Sequence, residues 1–291
     1  METTGSFGVL AHAKVNWMLR ILGKRPDGFH ELETIFQSIS LQDTLRFHPG
    51  EPLSLACDDP TIPTDDSNLV MRAARAMIER FGAPTCRIEL EKRIPAGGGL
   101  GGGSSDAAAT LRALAPLCKA PPSQDDLARV ALALGSDVPF FLEEGTAYAT
   151  GRGERLVALQ TQAGVPLVLL LPDERVMTPE AYRLLRTGRD EGRLPEGEAV
   201  GLDRCVLAAR GSLLDDVDML VNDLEAPVFT KLPRLAELLE VLRATGPAWA
   251  RMSGSGSTIV GAFRGRDERD RALEALRGEV EAIAAETASR S

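Results

Sequence analysis

Pro95-Ala-Gly-Gly-Gly-Leu-Gly-Gly-Gly-Ser-Ser105 places six glycines within seven positions, directly before an alanine-rich run that begins at Asp106. Without Cβ atoms, successive backbone N–H groups can converge on an anion, and the N-terminus of a following helix adds about half a positive charge. Upstream, Cys86, Ile88 and Leu90 alternate with Arg87, Glu89 and Glu91, which predicts a strand over 86–92. Downstream, residues 106–117 read as a helix opened by Ser104-Ser105-Asp106. The unit is strand, glycine loop, helix, and its natural ligand is a phosphate group. A Walker A loop is rejected because no lysine follows the glycines. Gly97, Gly99 and Gly102 satisfy G-x-G-x-x-G, but the helix leads to Pro121-Pro122 and a second helix over 124–134, where a dinucleotide fold wants a strand ending in an acidic residue.

Toward the N-terminus, Ala13, Val15, Trp17, Leu19 and Ile21 alternate with Lys14, Asn16 and Arg20, as in a half-buried strand with Lys14 and Asn16 on its polar face. Lys24-Arg-Pro-Asp-Gly28 carries turn chemistry and should bend the chain into an extended run from Phe29. Leu69, Ala73, Met77 and Phe81 recur every four residues, with Ser67 or Asn68 as cap and Gly82 as stop, giving an amphipathic helix. Gly135 should close the 124–134 helix and leave Asp137 at its end. Strands are expected around Tyr148 and Val157, then a linker over 160–164 and a fully buried strand over 165–171. The domain boundary is therefore placed near 160, giving domains 1–160 and 161–291. The second should contain helices over 179–186, 216–225 and 233–244, strands over 249–252 and 258–263, and a last helix from Asp267, an α+β arrangement. Residues 188–201 are polar and glycine-rich, as in a mobile loop.

The chain has 291 residues, 44% hydrophobic and 26% charged, which fits a globular protein and excludes a disordered or collagen-like one. A net charge of −9 opposes non-specific attraction to nucleic acid or an anionic membrane, so an anionic ligand needs local cations. Through residue 30, Lys14, Arg20, Lys24 and Arg25 outnumber Glu2 and Asp27 by two. Cys57, Cys86, Cys118 and Cys205 form no C-x-x-C pair, which gives a zinc or redox motif no support and suits reduced thiols. With no leader-like N-terminus and no apolar run long enough to span a bilayer, a cytoplasmic location is expected.

With these residues in view, the glycine loop resembles the ATP loop of the GHMP kinase superfamily, which lacks the Walker lysine. Within it the chain is similar to the kinases acting on 4-diphosphocytidyl-2-C-methyl-D-erythritol. The stretches that carry the resemblance are Ala13-Lys-Val-Asn16 with Arg25-Pro-Asp-Gly-Phe-His-Glu-Leu32; the glycine loop; Gly135-Ser-Asp-Val-Pro-Phe-Phe141 with Gly151-Arg-Gly-Glu154; and Asn222-Asp-Leu-Glu225 with Met252-Ser-Gly-Ser-Gly256. They recur in family order from the first strand to the last hairpin.

The resemblance implies an α/β and α+β two-domain GHMP kinase fold, with an N-terminal domain like ribosomal protein S5 domain 2 and a ferredoxin-like C-terminal domain. ATP would bind in the interdomain cleft on Pro95, Ala96, Gly97, Gly98, Gly99, Leu100, Gly101, Gly102, Gly103, Ser104 and Ser105. It also implies that Lys14 and Asp137 are the catalytic pair. Phosphoryl transfer needs an aligned donor, neutralised charge and a group that takes the hydroxyl proton. An aspartate with a pKa near ~3.9 is a poor base toward an alcohol, so the proton should leave late, assisted by a cation. Phe29, His30, Thr178 and Tyr182 match cytidine-binding positions, with Phe29 where a tyrosine is usual. Asn16 and Phe36 join the acceptor site, the latter also reading as a core aromatic, and Gly254-Ser-Gly256 reads as a second phosphate nest or a plain hairpin. Mg²⁺ is expected with ATP, Ser104 or Ser105 touching metal or phosphate, and no protein metal ligand is assigned. The implied partner is a small-molecule substrate with a cytidine diphosphate group. The competing readings are another GHMP kinase, such as one for homoserine, a silent ligand sensor on this fold, and, more distantly, a nicotinamide oxidoreductase.

Overall fold

A computed structural model describes residues 5–289. By packing, the chain divides into two compact units, Met1–Ala13 with Leu41–Ala96 and Gly101–Glu143, and Lys14–Ser40 with Gly97–Leu100 and Glu144–Ser291. The long strands β1 (Phe7–Lys24) and β2 (His30–Pro49) each run through both units, so the two units alternate along the chain.

In the first unit the C-terminal half of β2 pairs antiparallel with β4 (Cys86–Glu91), and β3 (Ser54–Cys57) pairs parallel with β4. Helix α1 (Leu69–Phe81) begins where Asn68 Oδ1 accepts the Val70 amide at 2.8 Å and ends at Gly82, whose φ of 67° is left-handed. Such a cap contributes about 1 kcal/mol. Its buried stripe, Val70, Ala73, Ala74 and Met77, packs on α2 (Gly102–Leu114) and α3 (Gln124–Leu134). Helix α3 is opened by a Ser123–Asp126 capping box, and a short α4 (Phe140–Glu143) packs on α2.

Helix α2 starts at Gly102, four residues before the expected Asp106, so the glycine loop supplies the helix's first turn. A Cβ on Gly102 would lie 3.0 Å from Ile94 and 3.3 Å from Lys92 Nζ, so strand end and helix approach closely enough that an added side chain would require these neighbours to give.

In the second unit the N-terminal half of β2 pairs with β5 (Thr146–Gly151), which pairs with β6 (Arg155–Leu159). A separate sheet has the order β10-β7-β9-β8, antiparallel throughout, formed by β7 (Pro166–Leu171), β8 (Trp249–Met252), β9 (Ile259–Ala262) and β10 (Glu281–Glu286). Helix α8 (Pro233–Ala244) covers β8 and β9, and α9 (Arg266–Ala275) covers β7 and β10. Burial of Leu235, Leu238, Leu239 and Leu242 on α8 stabilises this layer by about 1.5–3 kcal/mol per side chain.

The expected helix over 216–225 is absent. Two 3₁₀ turns, Leu213–Asp215 and Val217–Met219, precede α7 (Glu225–Lys231), because 221–223 are drawn out against β1: Leu19 N donates to Val221 O and Asp223 N to Leu19 O. Helix α5 (Thr178–Asp190) runs one turn beyond the expected 186, and α6 (Leu202–Arg210) was not expected. Of residues 188–201, read from composition as mobile, 188–190 close α5 and the rest are tied down. The buried Glu33 carboxylate accepts the amides of Val200 and Gly201 at 2.6 Å each, Arg189 donates to Pro195 O and Ile21 O, and Arg20 donates to Glu198 O. All four cysteines are free thiols, and among the described residues no helix is long and apolar enough to cross a membrane.

Candidate active site

Alternation put Lys14 and Asn16 on a polar, half-solvated face of β1, yet both are only 4% exposed. What covers them is the turn after β8. The Asn16 amide donates to Ser253 Oγ at 3.3 Å, and a Cβ on Gly254 would lie 3.3 Å from both Lys14 Nζ and Asn16 Oδ1. Burying an ammonium requires hydrogen-bond acceptors. Lys14 Nζ donates to Asn16 Oδ1 at 2.6 Å and to Gly99 O at 2.9 Å, and it stands 5.5 Å from the centre of the Phe36 ring. Asn16 Nδ2 in turn donates to Thr34 Oγ1 at 2.8 Å, which fixes the orientation of the amide. Phe36, only 3% exposed, serves as core and as a wall beside the ammonium.

The glycine loop's backbone explains its composition. Gly97, Gly99 and Gly101 have φ of 73°, 77° and 73°, whereas Gly98 and Leu100 do not share the left-handed region. Alternating backbone conformations of this kind turn consecutive N–H groups toward one concave side and favour anions. The carbonyls, meanwhile, are occupied by protein donors: Gly98 O by Thr258 N, Gly99 O by Lys14 Nζ, and Leu100 O by Lys14 N. At Gly99 a Cβ would sit 2.4 Å from Ser253 O, so no other residue fits. The first bond of α2 runs from Ser105 N to Gly101 O, which places the amides of 102–104 in the first helical turn, where no residue one turn earlier in the helix accepts them. Ser105 needs correction as a phosphate or metal contact: its hydroxyl donates to His12 O at 2.6 Å, its amide is used within the helix, and it is fully buried.

Under the loop, in the first unit, Lys92 Nζ bridges Asp43 and Asp106, the latter at 2.8 Å, and Asp43 Oδ1 also accepts the Ile94 amide. Burial pushes the Asp106 carboxyl up to about 7 against the pull of Lys92. This cluster locks the strand end to α2, and nothing in the sequence marks its three charges out from their charged and polar neighbours. Asp137 occupies the turn between α3 and α4, half-buried, with fully buried Val138, Phe140 and Phe141 anchoring the backbone around it. It belongs to the first unit and Lys14 to the second.

The expected nucleoside residues lie in the second unit. Phe29 is 49% exposed, and the Arg152 guanidinium stacks on its ring at 3.9 Å. The His30 and Tyr182 rings stack with centroids 4.8 Å apart. His30 titrates below the ordinary imidazole range, because burial and then the charges of Lys24, Arg186 and Arg189 disfavour its protonated form. Thr178 Oγ1 hydrogen-bonds Ser255 Oγ at 2.9 Å, joining the start of α5 to the 253–256 turn. The structure thus brings Lys14, Asn16, Phe36 and 97–100 together, and pairs His30 with Tyr182.

Two family models match this chain, one described as the GHMP kinases N terminal domain over residues 68–145 and the other as GHMP kinases C terminal over residues 208–282. A 4-diphosphocytidyl-2-C-methyl-D-erythritol kinase of Prosthecochloris aestuarii is 41% identical, over 93% of this chain and 94% of its own length. The kinase of the same name from Solibacter usitatus is 44% identical, covering 95% of this chain and 87% of its own. A crystal structure of 4-(cytidine 5'-diphospho)-2C-methyl-D-erythritol kinase superposes with a TM-score of 0.81 at 38% identity, over 97% of this chain and all of the other. Similarity of this extent, spread over both matched domains, means that the chain belongs to the 4-diphosphocytidyl-2-C-methyl-D-erythritol kinase family of GHMP kinases.

Proposed function

We propose that this enzyme transfers the γ-phosphoryl group of ATP to the 2-hydroxyl of 4-diphosphocytidyl-2-C-methyl-D-erythritol, giving ADP and the 2-phosphate. That reaction serves isopentenyl diphosphate biosynthesis by the non-mevalonate route. The observation that carries the reading is the attachment of Lys14 to the glycine loop, Nζ to Gly99 O at 2.9 Å. A buried cation fastened to a phosphate-binding loop suits transfer of a charged group and has no counterpart in a hydride-transfer site.

The amides of 97–104 hold the donor phosphates, Lys14 orients and polarises the acceptor hydroxyl, and Asp137 takes its proton late in a loose transition state. Phe29 stacks on the cytosine, His30 and Tyr182 read the base edge, and Asn16 and Thr178 hold the acceptor. Mg²⁺, arriving with ATP, would supply charge neutralisation at the donor phosphates. An ion bound to nucleotide phosphates needs few protein ligands, and Ser104 would be the loop hydroxyl to meet it. The order β10-β7-β9-β8, with its β-α-β-β-α-β connectivity, supports a ferredoxin-like domain over 161–291, paired with an S5-like domain over 1–160. The protein works in the cytoplasm on a small molecule, without a nucleic-acid or membrane partner.

Steady-state ADP formation with ATP and Mg²⁺ tests the reading against homoserine and mevalonate as alternative acceptors. Turnover with the cytidylyl acceptor alone is expected. Turnover with homoserine instead makes this another GHMP kinase, and ligand binding without turnover makes it a sensor.

A further inference from the structure

Asn222 has no task in the chemistry above, yet it is only 7% exposed and its amide is fully engaged. Nδ2 donates to Met252 O and to Gly254 O, both at 2.8 Å, and Oδ1 accepts the Leu224 amide at 2.9 Å. Its own backbone neighbours are fastened to β1. Leu19 N donates to Val221 O at 2.8 Å, and Asp223 N to Leu19 O at 2.9 Å. The Asp223 carboxylate accepts the Ile21 amide at 2.9 Å and binds Arg20 and Arg189. One end of the Asn222 link is therefore fixed to the strand that carries Lys14.

The other end grips the turn that closes over Lys14. Gly254 packs without slack, since a Cβ there would lie 3.3 Å from Lys14 Nζ, 3.3 Å from Asn16 Oδ1 and 3.4 Å from Gly99 O. Ser253 Oγ accepts the Asn16 amide and donates to Gly99 O, each at 3.3 Å, and Glu225 Oε1 accepts Met252 N at 2.7 Å. A single rigid amide that binds the carbonyls of residues 252 and 254 sets the peptide planes on both sides of Ser253. Two acceptors of the Lys14 ammonium, Asn16 Oδ1 and Gly99 O, are in turn touched by that turn.

We propose that Asn222 is a positioning residue for phosphoryl transfer: by fixing the 252–254 turn it holds the Lys14 ammonium in its working geometry, touching neither substrate. The proposal rests on Lys14 acting in the reaction. It differs from a purely structural role, in which loss of Asn222 lowers stability and leaves per-molecule turnover alone.

A double-mutant cycle on the full-length enzyme decides between the two, with kcat, both KM values and thermal midpoint read for wild type, Asn222→Ala, Lys14→Met and the double variant. Asn222→Ala should lower kcat ~10-fold or more with both KM values within about 2-fold, the pattern of an interaction needed in the transition state. In the Lys14→Met background the same substitution should cost less than ~3-fold, because residues that act through one another are not additive. An equal factor in both backgrounds, or a loss confined to KM for ATP, overturns the proposal. Near-normal turnover of Lys14→Met would instead overturn the catalytic reading on which it rests. If Asn222→Ala does not fold, Gly254→Ala carries the same cycle from the turn side, with the same expected loss of kcat and the same non-additivity.

Discussion

At the residue scale, the site depends on a few atoms that have no substitute. Lys14→Ala and Asp137→Asn should each lower turnover at least ~100-fold while preserving the fold, the scale of general-base and electrostatic groups. Near-normal turnover in either variant removes that residue from the mechanism. Two glycines of one loop should behave oppositely. Gly99 has φ of 77° and a would-be Cβ 2.4 Å from Ser253 O, so Gly99→Ala should unfold the loop and lower the midpoint. Gly103 lies inside α2, and its nearest neighbour is Leu69 Cδ1 at 4.0 Å, so Gly103→Ala should leave stability equal or higher, by up to about 1 kcal/mol. Thermal melts of the pair check this directly. The glycines were legible because only a backbone role explains so many together. The burial of Lys14 and Asn16 was not, because period-2 alternation shows which residues share a face and not what covers it. Their cover comes from residues more than 230 positions away.

At the element scale, what repeated in the sequence could be read, and what depended on pairing could not. Helix α1 follows from spacing with caps at both ends, α3 has its Ser123–Asp126 box, and α8 opens on Pro233. Strand β10 was missed because Glu-Ala-Ile-Ala-Ala-Glu has little β-branched content, and its conformation comes from pairing with the apolar β7. The 216–225 segment reads as a helix but is drawn out against β1, where the Asp223 carboxylate accepts the Ile21 amide, while the Asn222 side chain binds the carbonyls of Met252 and Gly254. The 191–201 segment is held largely by Glu33, so Glu33→Ala should cost about 2–3 kcal/mol by leaving two amides and the Tyr148 hydroxyl without their acceptor. Limited proteolysis should then cut first within 191–201, and an unchanged digestion pattern would contradict this anchoring. Burial pushes the Glu225 carboxyl at the start of α7 up to about 7, against the hydrogen bond from Met252 and the charges of Arg251 and Arg243. Between about 4.5 and 7 the folded protein keeps a proton that the unfolded chain has released, so this group's contribution to stability falls as pH rises through that window. Glu225→Gln keeps an acceptor for Met252 N and should flatten that slope in thermal midpoints measured across the window. An identical slope would assign it to other groups.

At the scale of the whole molecule, the proposed site draws on a glycine loop, a buried cation and a stacked His30–Tyr182 pair contributed by segments far apart in sequence. The net charge of −9 makes the local placement of cations decisive, since the protein as a whole repels its anionic substrates. Motif order identified the family, while the clamp formed by 222–225 and the Lys92 cluster became visible only once distant segments were placed side by side. The central claim is that one phosphoryl group passes from ATP to one hydroxyl of the cytidylyl acceptor. Phosphorus NMR of the complete reaction mixture tests it most directly. One new phosphomonoester on the acceptor's second carbon should appear for every ADP formed, with the acceptor's diphosphate resonances retained. ADP and free phosphate without a new ester, or an ester at another hydroxyl, would contradict it.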